Sequence, residues 1–150
     1  LIQQKAHGHK LVEMLDARGV RAVFIDGDNN QTERKEALAK LAKGVIDVLI
    51  GSTILDVGVD VPAVGMVILA GGGKAEVALR QRIGRGLRAK KAGPNIALIV
   101  DFFDEHNRYL KDHSIQRLSI IKDTPGFGEN ILPDGQDFNY DALGLRKVAA

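Results

Sequence analysis

The 150-residue sequence contains no cysteine, so a disulfide framework and a thiolate metal site are both excluded. No apolar run reaches the roughly 18 residues that a membrane-spanning helix needs. The first ten residues lack the charged start, apolar stretch and cleavage site of a secretory signal. Four histidines are too scattered to predict a metal site: His7, His9, His106 and His113. We therefore expect a soluble intracellular (cytoplasmic) protein without a metal site or membrane segment of its own.

The sequence also lacks a phosphate-binding loop of the form G-x-x-x-x-G-K-[ST]. The nearest stretch is residues 71–75. When Gly73-Lys74 is aligned with the Gly-Lys of the motif, Ile68 occupies the position of the first glycine, and Ala75 replaces the hydroxyl residue that binds Mg²⁺. A dinucleotide-binding G-x-G-x-x-G starting at Gly71 also fails, because Glu76 occupies the position of its last glycine. We interpret this loop as the connection into the following helix.

Charge is present but unevenly distributed along the chain. The net charge is +2, yet residues 123–150 hold five acidic and two basic side chains, which leaves the rest of the chain near +5. Six basic side chains fall between residues 80 and 91, and no acid lies between Val77 and Val100. This basic block indicates a polyanionic partner, either nucleic acid, nucleotide phosphate or both.

Apolar runs and helical patterns alternate along residues 1–122. We predict strands at 22–26, 46–50, 65–70 and 96–101 and helices at 9–18, 32–43, 75–87 and 104–121. Glycines 19 and 44 predict the ends of the first two helices. The pattern is typical of an α/β domain whose parallel sheet is flanked by helices on both faces, with ligands at the carboxyl ends of the strands. Residues 123–150, rich in proline and glycine, are predicted to form an irregular C-terminal tail.

The last predicted strand and helix carry polar and apolar features of their own. Asp101, at the end of the strand, either caps the next helix or faces a cleft between domains. We interpret Asp104 and Glu105 as acids at the start of the last helix. An apolar stripe on that helix predicts packing against the core: Leu110, Ile115, Leu118 and Ile121.

The predicted helix at 75–87 and the residue after it bring cationic side chains onto one face. Gln81, Arg85 and Arg88 are spaced i, i+4 and i+7, so they share a side of the helix. Two guanidinium groups there favour an anion between them, and a terminal phosphate matches their geometry. A merely solvated basic helix is the alternative interpretation. Gly84 and Gly86 count against it, because a solvated helix gains nothing from two glycines.

Three stretches resemble motifs of superfamily 2 helicases, and they occur in the order that the family has. Residues 81–88 (QRIGRGLR) are similar to motif VI, and residues 52–62 (STILDVGVDVP) are similar to motif V. Residues 24–34 resemble the strand, glycine and Gln-x-x-Arg elements between motifs IV and V. With the opening helix and the last strand, the resemblance covers about residues 1–121. It implies a three-layer RecA-like fold for residues 1–122.

The resemblance implies a role at an ATP site shared between two domains. ATP would lie between this RecA-like domain and an N-terminal RecA-like domain of the same parent protein, which supplies the phosphate loop and holds Mg²⁺. Arg85 and Arg88 would be arginine fingers that reach the γ-phosphate. Gln81 would contact the phosphate region or the opposing domain, while Gly58 and Asp60 approach the nucleotide. This chain alone is then expected not to hydrolyse ATP.

The same resemblance implies contacts with a nucleic-acid backbone. Ser52, Thr53 and the amide of Gly27 would donate to phosphates, and Arg34 would belong to the same surface. Binding of this kind is nearly independent of sequence and sensitive to salt. Local alternatives remain open for these positions: Ser52 and Thr53 cap the following turn, Asp60 initiates a turn before Val61-Pro62, and Gly27 only supplies a left-handed backbone.

Departures from the DEAD-box pattern bear on the nucleic acid. DEAD-box RNA helicases carry arginine before the motif V glycine and Thr-Gly between the motif VI arginines, whereas this chain has Val57 and Gly86-Leu87. The sequence thus resembles bacteriophage and XPB-like repair helicases or restriction-enzyme motors, which implies DNA rather than RNA. The alternative function is a non-catalytic module that binds nucleic acid or protein and has a decayed nucleotide site. That alternative explains the basic block but not Asp60 or the paired arginines.

Overall fold

The computed structural model describes residues 2, 4–51, 65–71, 98–123, 131–132, 139 and 141. Within these residues the helices are α1 (Lys5–Asp16), α2 (Gln31–Ala42) and α3 (Arg108–Asp123). The strands are β1 (Ala22–Ile25), β2 (Val48–Gly51), β3 (Met66–Leu69) and β4 (Leu98–Asp101). The described residues combine helices with strands that pair in parallel, which confirms the predicted α/β class. The predicted helix at 75–87 lies outside the described residues.

The strands form two parallel pairs, β1 with β2 and β3 with β4. At the carboxyl ends, Ile25 is level with Gly51 in the first pair, and Leu69 is level with Asp101 in the second. The amide of Ile2 donates to the carbonyl of Gly51 at 2.9 Å, as a neighbouring strand would. The register thus places the turn after β1 beside the end of β2.

Both predicted helix ends are confirmed, and each is set by a glycine with a left-handed backbone. Gly19 has φ 72° and Gly44 has φ 68°, a region in which other residues are strained. At each end two overlapping hydrogen bonds satisfy the last carbonyls: Gly19 to Asp16 and Val20 to Leu15, then Gly44 to Leu41 and Val45 to Lys40. Because the second of these turns uses the amides of residues 45 and 46, β2 begins only at Val48, later than predicted.

Helix α1 packs unusually close to β1 because Gly8 faces the strand. A Cβ atom at Gly8 would lie 2.6 Å from Phe24 Cε2 and 2.7 Å from Ile2 Cδ1. The ring of His9 meets Phe24 edge-on, with 5.0 Å between centroids. The described part of the core also contains buried aliphatic side chains from the helices, strands and connections: Ile25, Ala37, Ile46, Ile50 and Leu69. The absence of a side chain at Gly8 therefore sets how closely α1 covers the sheet.

Helix α3 departs from two sequence predictions. It begins at Arg108 rather than 104, because Asn107 Oδ1 accepts from the amides of Tyr109 (2.9 Å) and Leu110 (3.4 Å) and so caps the helix. The interpretation of Asp104 and Glu105 as the first acids of the helix is wrong. Among the described helices, α3 included, none is long and apolar enough to cross a membrane.

The apolar stripe predicted on α3 is only partly turned inward. Leu118 and Ile121 are half-buried, but Leu110 and Ile115 are 37% and 49% exposed. The two fully buried side chains of the helix are instead polar, Ser114 and Arg117. The prediction that Leu110 and Ile115 pack into the core is wrong, because hydrogen bonds rather than aliphatic contacts hold this face of the helix.

An ion pair joins the residue before β1 to the residue before β2. Arg21 Nη2 lies 2.7 Å from Asp47 Oδ1, and Arg21 Nε donates to Asp47 Oδ2 at 2.9 Å. Arg21 Nη2 also donates to the carbonyl of Gly44 at 2.9 Å. Chiefly through the hydrogen bond from the Arg21 side chain, the pair lowers the pKa of Asp47 to about 2.

The Arg21–Asp47 pair predicts a specific acid dependence of stability. The pKa of Asp47 is about 2 when folded and 3.8 as the ordinary value, so the pair stabilises the fold above about pH 4 and that contribution is lost as pH falls through 2. We expect Asp47→Asn to lower the urea midpoint at neutral pH, and the difference from the unsubstituted protein to shrink as pH falls to about 2. Asp16→Asn, which alters an exposed carboxylate of α1, is the control. An equal gap at both pH values would contradict this assignment.

Candidate nucleic-acid interface

The turn after β1 is organised by the side chains of Asp26 and Asn29. Asp26 Oδ1 accepts from the amide of Asp28 at 2.9 Å, and Asn29 Oδ1 accepts from the amide of Asp26 at 2.8 Å. Gly27 lies exposed in the middle of this turn, and its amide has no hydrogen bond among the described residues. Gly27 is not one of the described residues with positive φ, so the alternative that it only supplies a left-handed backbone is wrong.

Helix α2 begins directly after this turn, and two reciprocal hydrogen bonds cap its N-terminus. Asn30 Oδ1 accepts from the amide of Glu33, and Glu33 Oε2 accepts from the amide of Asn30, both at 2.9 Å. Asn29 Nδ2 also donates to Glu33 Oε2 at 3.1 Å. This capping box fixes the direction in which the helix leaves the turn.

Arg34, one turn into α2, reaches back to the same turn. Its Nη2 lies 3.5 Å from the carbonyl oxygen of Asp26, at the limit of a hydrogen bond. Its Nε is buried and has no hydrogen-bond partner among the described residues. The structure thus brings the predicted site residues Gly27 and Arg34 to the same turn. Arg34 contacts the main chain of the turn, and Gly27 is exposed to solvent.

Lys5 is a member of this site that the sequence analysis missed. Its Nζ lies 3.2 Å from Asp26 Oδ2 and donates to Asp28 Oδ2. These contacts raise the pKa of Lys5, first through Asp28 and then through Asp26. The pKa of Asp26 is lowered, first by the hydrogen bond from the Asp28 amide and then by Lys5. No motif contains Lys5, and its partner Asp28 is 23 residues away in the sequence, so no local pattern could have indicated the contact.

The electrostatic balance of the turn differs from that of a basic phosphate site. Three carboxylates, of Asp26, Asp28 and Glu33, face two cations, Lys5 and Arg34, which leaves about one negative charge. Lys5 therefore does not attract a phosphate by itself. It cancels part of the repulsion that the two carboxylates beside Gly27 would exert on one.

The remaining predicted site residues lie outside the described residues. They are Ser52, Thr53, Gly58, Asp60, Gln81, Arg85 and Arg88. Ser52 follows Gly51 directly, and Gly51 is level with Ile25 at the end of β1. Among the described histidine, aspartate and glutamate side chains, no group of three or more could hold a metal ion.

The end of β4 is tied to α3 through a buried arginine that the sequence analysis also missed. Arg117, 1% exposed, donates to the carbonyl of Phe102 at 2.8 Å and to Ser114 Oγ at 2.9 Å. Its Nε lies 3.3 Å from Asp101 Oδ2. Ser114 Oγ in turn accepts from the amide of Asp104 at 3.1 Å. Asp101 therefore binds a residue two turns into α3 and does not cap the start of that helix.

The parallel strands with their accompanying helices, and the polar turn at the end of β1, define an α/β domain of the kind that binds ligands at the carboxyl ends of its strands. The sequence profile of the helicase conserved C-terminal domain matches residues 2–90, more than half of the chain. This chain belongs to that family, which confirms the resemblance to superfamily 2 helicases.

Relatives come from viral and bacterial proteins. The chain is 28% identical over 122 residues to putative helicase 22 of a Sulfolobus islandicus filamentous virus, which covers 81% of this chain and 22% of that protein. It is 30% identical over 98 residues to the ATP-dependent RNA helicase SrmB of Haemophilus influenzae, a match that covers 65% of this chain and 22% of that protein. It is 31% identical over 136 residues to UvrABC system protein B of Thermosipho africanus, with 79% and 21% covered. The chain thus spans about a fifth of the length of these relatives.

Solved helicase structures share the fold. T4 UvsW aligns with a TM-score of 0.64 at 24% identity, over 81% of this chain and 28% of that chain. The C-terminal domain of the DEAD-box protein Dbp5 aligns with a TM-score of 0.58 at 26% identity, over 81% and 66%. These similarities confirm the RecA-like helicase C-terminal fold.

The contact between Lys5 and Asp26 predicts how the turn titrates. In Lys5→Met the pKa of Asp26 should rise towards 3.8 without reaching it, because the hydrogen bond from the Asp28 amide remains and is the larger cause of the shift. The carboxyl carbon of Asp26, followed by NMR against pH, measures this value. Lys10→Met removes a lysine of the same helix that pairs with Glu13, and it should leave Asp26 unchanged. An unaltered Asp26 titration in Lys5→Met would show that the contact is absent in solution.

The buried arginine predicts a large loss of stability. Arg117→Met removes the donor to the Phe102 carbonyl and the cation beside Asp101, so we expect the free energy of unfolding to fall by about 3 kcal/mol or more. Arg108→Met, an exposed arginine at the start of the same helix, should change it by less than about 0.5 kcal/mol. Urea unfolding measures both. A loss no greater than that of the control would contradict the role of Arg117.

Proposed function

We propose that this chain is the second motor domain of an ATP-dependent DNA helicase or translocase. The observation that carries the proposal is the register of β1 and β2, which places the Gly27 turn beside the end of β2. Ser52 follows Gly51 directly in the sequence. The helicase-like segment at residues 52–62 therefore comes straight after β2, and the one at residues 24–34 includes the turn after β1.

The ATP-binding part of the proposal concerns residues supplied to a nucleotide held mainly elsewhere. Arg85 and Arg88 act as arginine fingers on the γ-phosphate, and Gln81, Gly58 and Asp60 line the same side of the nucleotide. The phosphate loop and the Mg²⁺-binding acids belong to an N-terminal RecA-like domain of the same parent protein. Support comes from the family to which the chain belongs. Without that domain, this chain does not turn over ATP.

The chemical contribution of the fingers is electrostatic. A guanidinium group keeps its positive charge at any working pH, and its paired N–H donors match phosphate oxygens. Placed against the γ-phosphate, it stabilises the charge that develops as the phosphoryl group leaves, an effect of about 10³–10⁵ in rate. Because the fingers and the phosphate loop lie on different domains, hydrolysis requires the two domains to close around ATP.

The nucleic-acid contacts run along the carboxyl edge of β1 and β2. The Gly27 amide is exposed and has no hydrogen bond among the described residues, so a backbone phosphate can accept from it. The hydroxyl groups of Ser52 and Thr53, which follow β2 in the sequence, donate hydrogen bonds to phosphates. Arg34 supports the turn through its contact with the Asp26 carbonyl. Val57 and Gly86-Leu87 favour DNA. Because an RNA helicase is among the relatives, both nucleic acids belong in any test.

The proposal predicts a separation of hydrolysis from binding. In the full-length protein that contains both motor domains, Arg85→Ala should reduce nucleic-acid-stimulated ATP hydrolysis by about 10³-fold or more, because the transition state loses its guanidinium. DNA affinity without ATP should change little. Steady-state phosphate release and the binding of a labelled oligonucleotide measure the two properties.

Arg18→Ala is the matched control, since Arg18 is exposed and donates to the Met14 carbonyl of its own helix. It should retain both activities. Near-normal hydrolysis in Arg85→Ala would end the finger assignment. If ATP analogues also leave DNA affinity unchanged, a non-catalytic binding module describes the protein better.

A further inference from the structure

Two phenylalanine side chains follow β4 and face solvent. Phe102 is 55% exposed and Phe103 is 48% exposed. The sequence has only seven aromatic side chains other than histidine, five Phe and two Tyr, so exposing two adjacent ones leaves much of its aromatic surface unburied. Two aromatic rings next to each other in the chain, each about half exposed, offer flat apolar faces that a ligand can contact.

The backbone under these rings is held in place. The carbonyl of Phe102 accepts from the buried Arg117 at 2.8 Å, and the amide of Asp104 donates to Ser114 Oγ at 3.1 Å. These two bonds bracket Phe103, and both partners belong to α3. Because the main chain is fixed, the rings can receive a ligand without a large loss of conformational entropy.

The size of the exposed surface distinguishes between classes of ligand. Two half-exposed phenylalanines offer roughly 200 Å². A stable protein interface needs about 800 Å² from each partner, several times more. One or two stacked nucleobases match the smaller area, and every base has a face that stacks on an aromatic ring.

The surrounding charge points to the base rather than the phosphate. Asp104 and Glu105 come directly after the rings and repel a phosphate. The basic block at residues 80–91 precedes β4 in the sequence and provides charge for the nucleic-acid backbone. A strand whose phosphates follow basic side chains can turn its bases towards an uncharged aromatic pair.

We propose that Phe102 and Phe103 form a stacking surface for the bases of single-stranded nucleic acid at the end of β4. This inference rests on the proposed function, since it assumes that nucleic acid passes along the carboxyl edge of the sheet. It adds a contact that the helicase-like motifs do not contain. Unlike a phosphate contact, stacking releases no counterions and so persists at high salt.

The test measures the affinity of two single-stranded oligonucleotides of equal length, one with bases and one abasic. Each is titrated against the unsubstituted protein and against the double variant Phe102→Leu/Phe103→Leu. Leucine keeps most of the apolar volume but has no ring. We expect the variant to bind the base-bearing strand about 5- to 150-fold more weakly for each stack lost. Its affinity for the abasic strand, and the slope of affinity against salt, should not change. Phe102→Tyr/Phe103→Tyr should retain stacking.

Val45→Ala is the control, because Val45 is 51% exposed but lies before β2, at the opposite end of that strand. It should bind both strands normally. Equal affinity of the unsubstituted protein for both strands would overturn the stacking surface and leave the proposed motor function intact. Normal binding by the leucine variant, with a loss only of ATP hydrolysis in the full-length protein, would also overturn it and indicate docking to another domain. If neither strand binds at all, that result would count against the proposed function itself.

Discussion

The parallel pairing of β1 with β2 is the constraint on which the described site depends. It sets Ile25 level with Gly51, and so places the turn that carries Gly27 beside the strand end that Ser52 follows in the sequence. The Arg21–Asp47 ion pair joins the residues before the same two strands, so a shift in register would break it. A shift by one residue would also turn Phe24 away from Gly8, and α1 could no longer approach the sheet.

Polar groups do work in this domain that a hydrophobic core would ordinarily do. Arg117 is 1% exposed and joins a strand end, a main-chain carbonyl and a serine of its own helix. Hydrogen bonds are directional, whereas apolar contacts tolerate sliding, so this arrangement fixes the segment after β4 more sharply than leucines would. The outcome is that Leu110 and Ile115 remain outside although their spacing suits a buried stripe.

The Gly27 turn shows why a motif does not by itself describe an electrostatic environment. The residues that resemble a helicase element include two aspartates, and the repulsion they exert on a phosphate is moderated only because Lys5 arrives from α1. The turn that we propose as a contact for nucleic acid therefore offers the Gly27 amide in a frame that carries about one negative charge. Positive charge is supplied mainly by the block at residues 80–91.

Local patterns in the sequence determined the α/β class, the glycines that end α1 and α2, and the family, because periodicity, left-handed caps and motifs are properties of neighbouring residues. The start of α3 was misplaced because Asp104 and Asn107 are both able to cap a helix, and the path of the backbone decides between them. Only the tertiary structure decided that Lys5 neutralises the turn, that Asp101 binds Arg117, and that the two phenylalanines stay exposed. The first two outcomes join residues that are far apart in the chain, and the third depends on which elements cover a side chain, so neither kind can be read from local spacing.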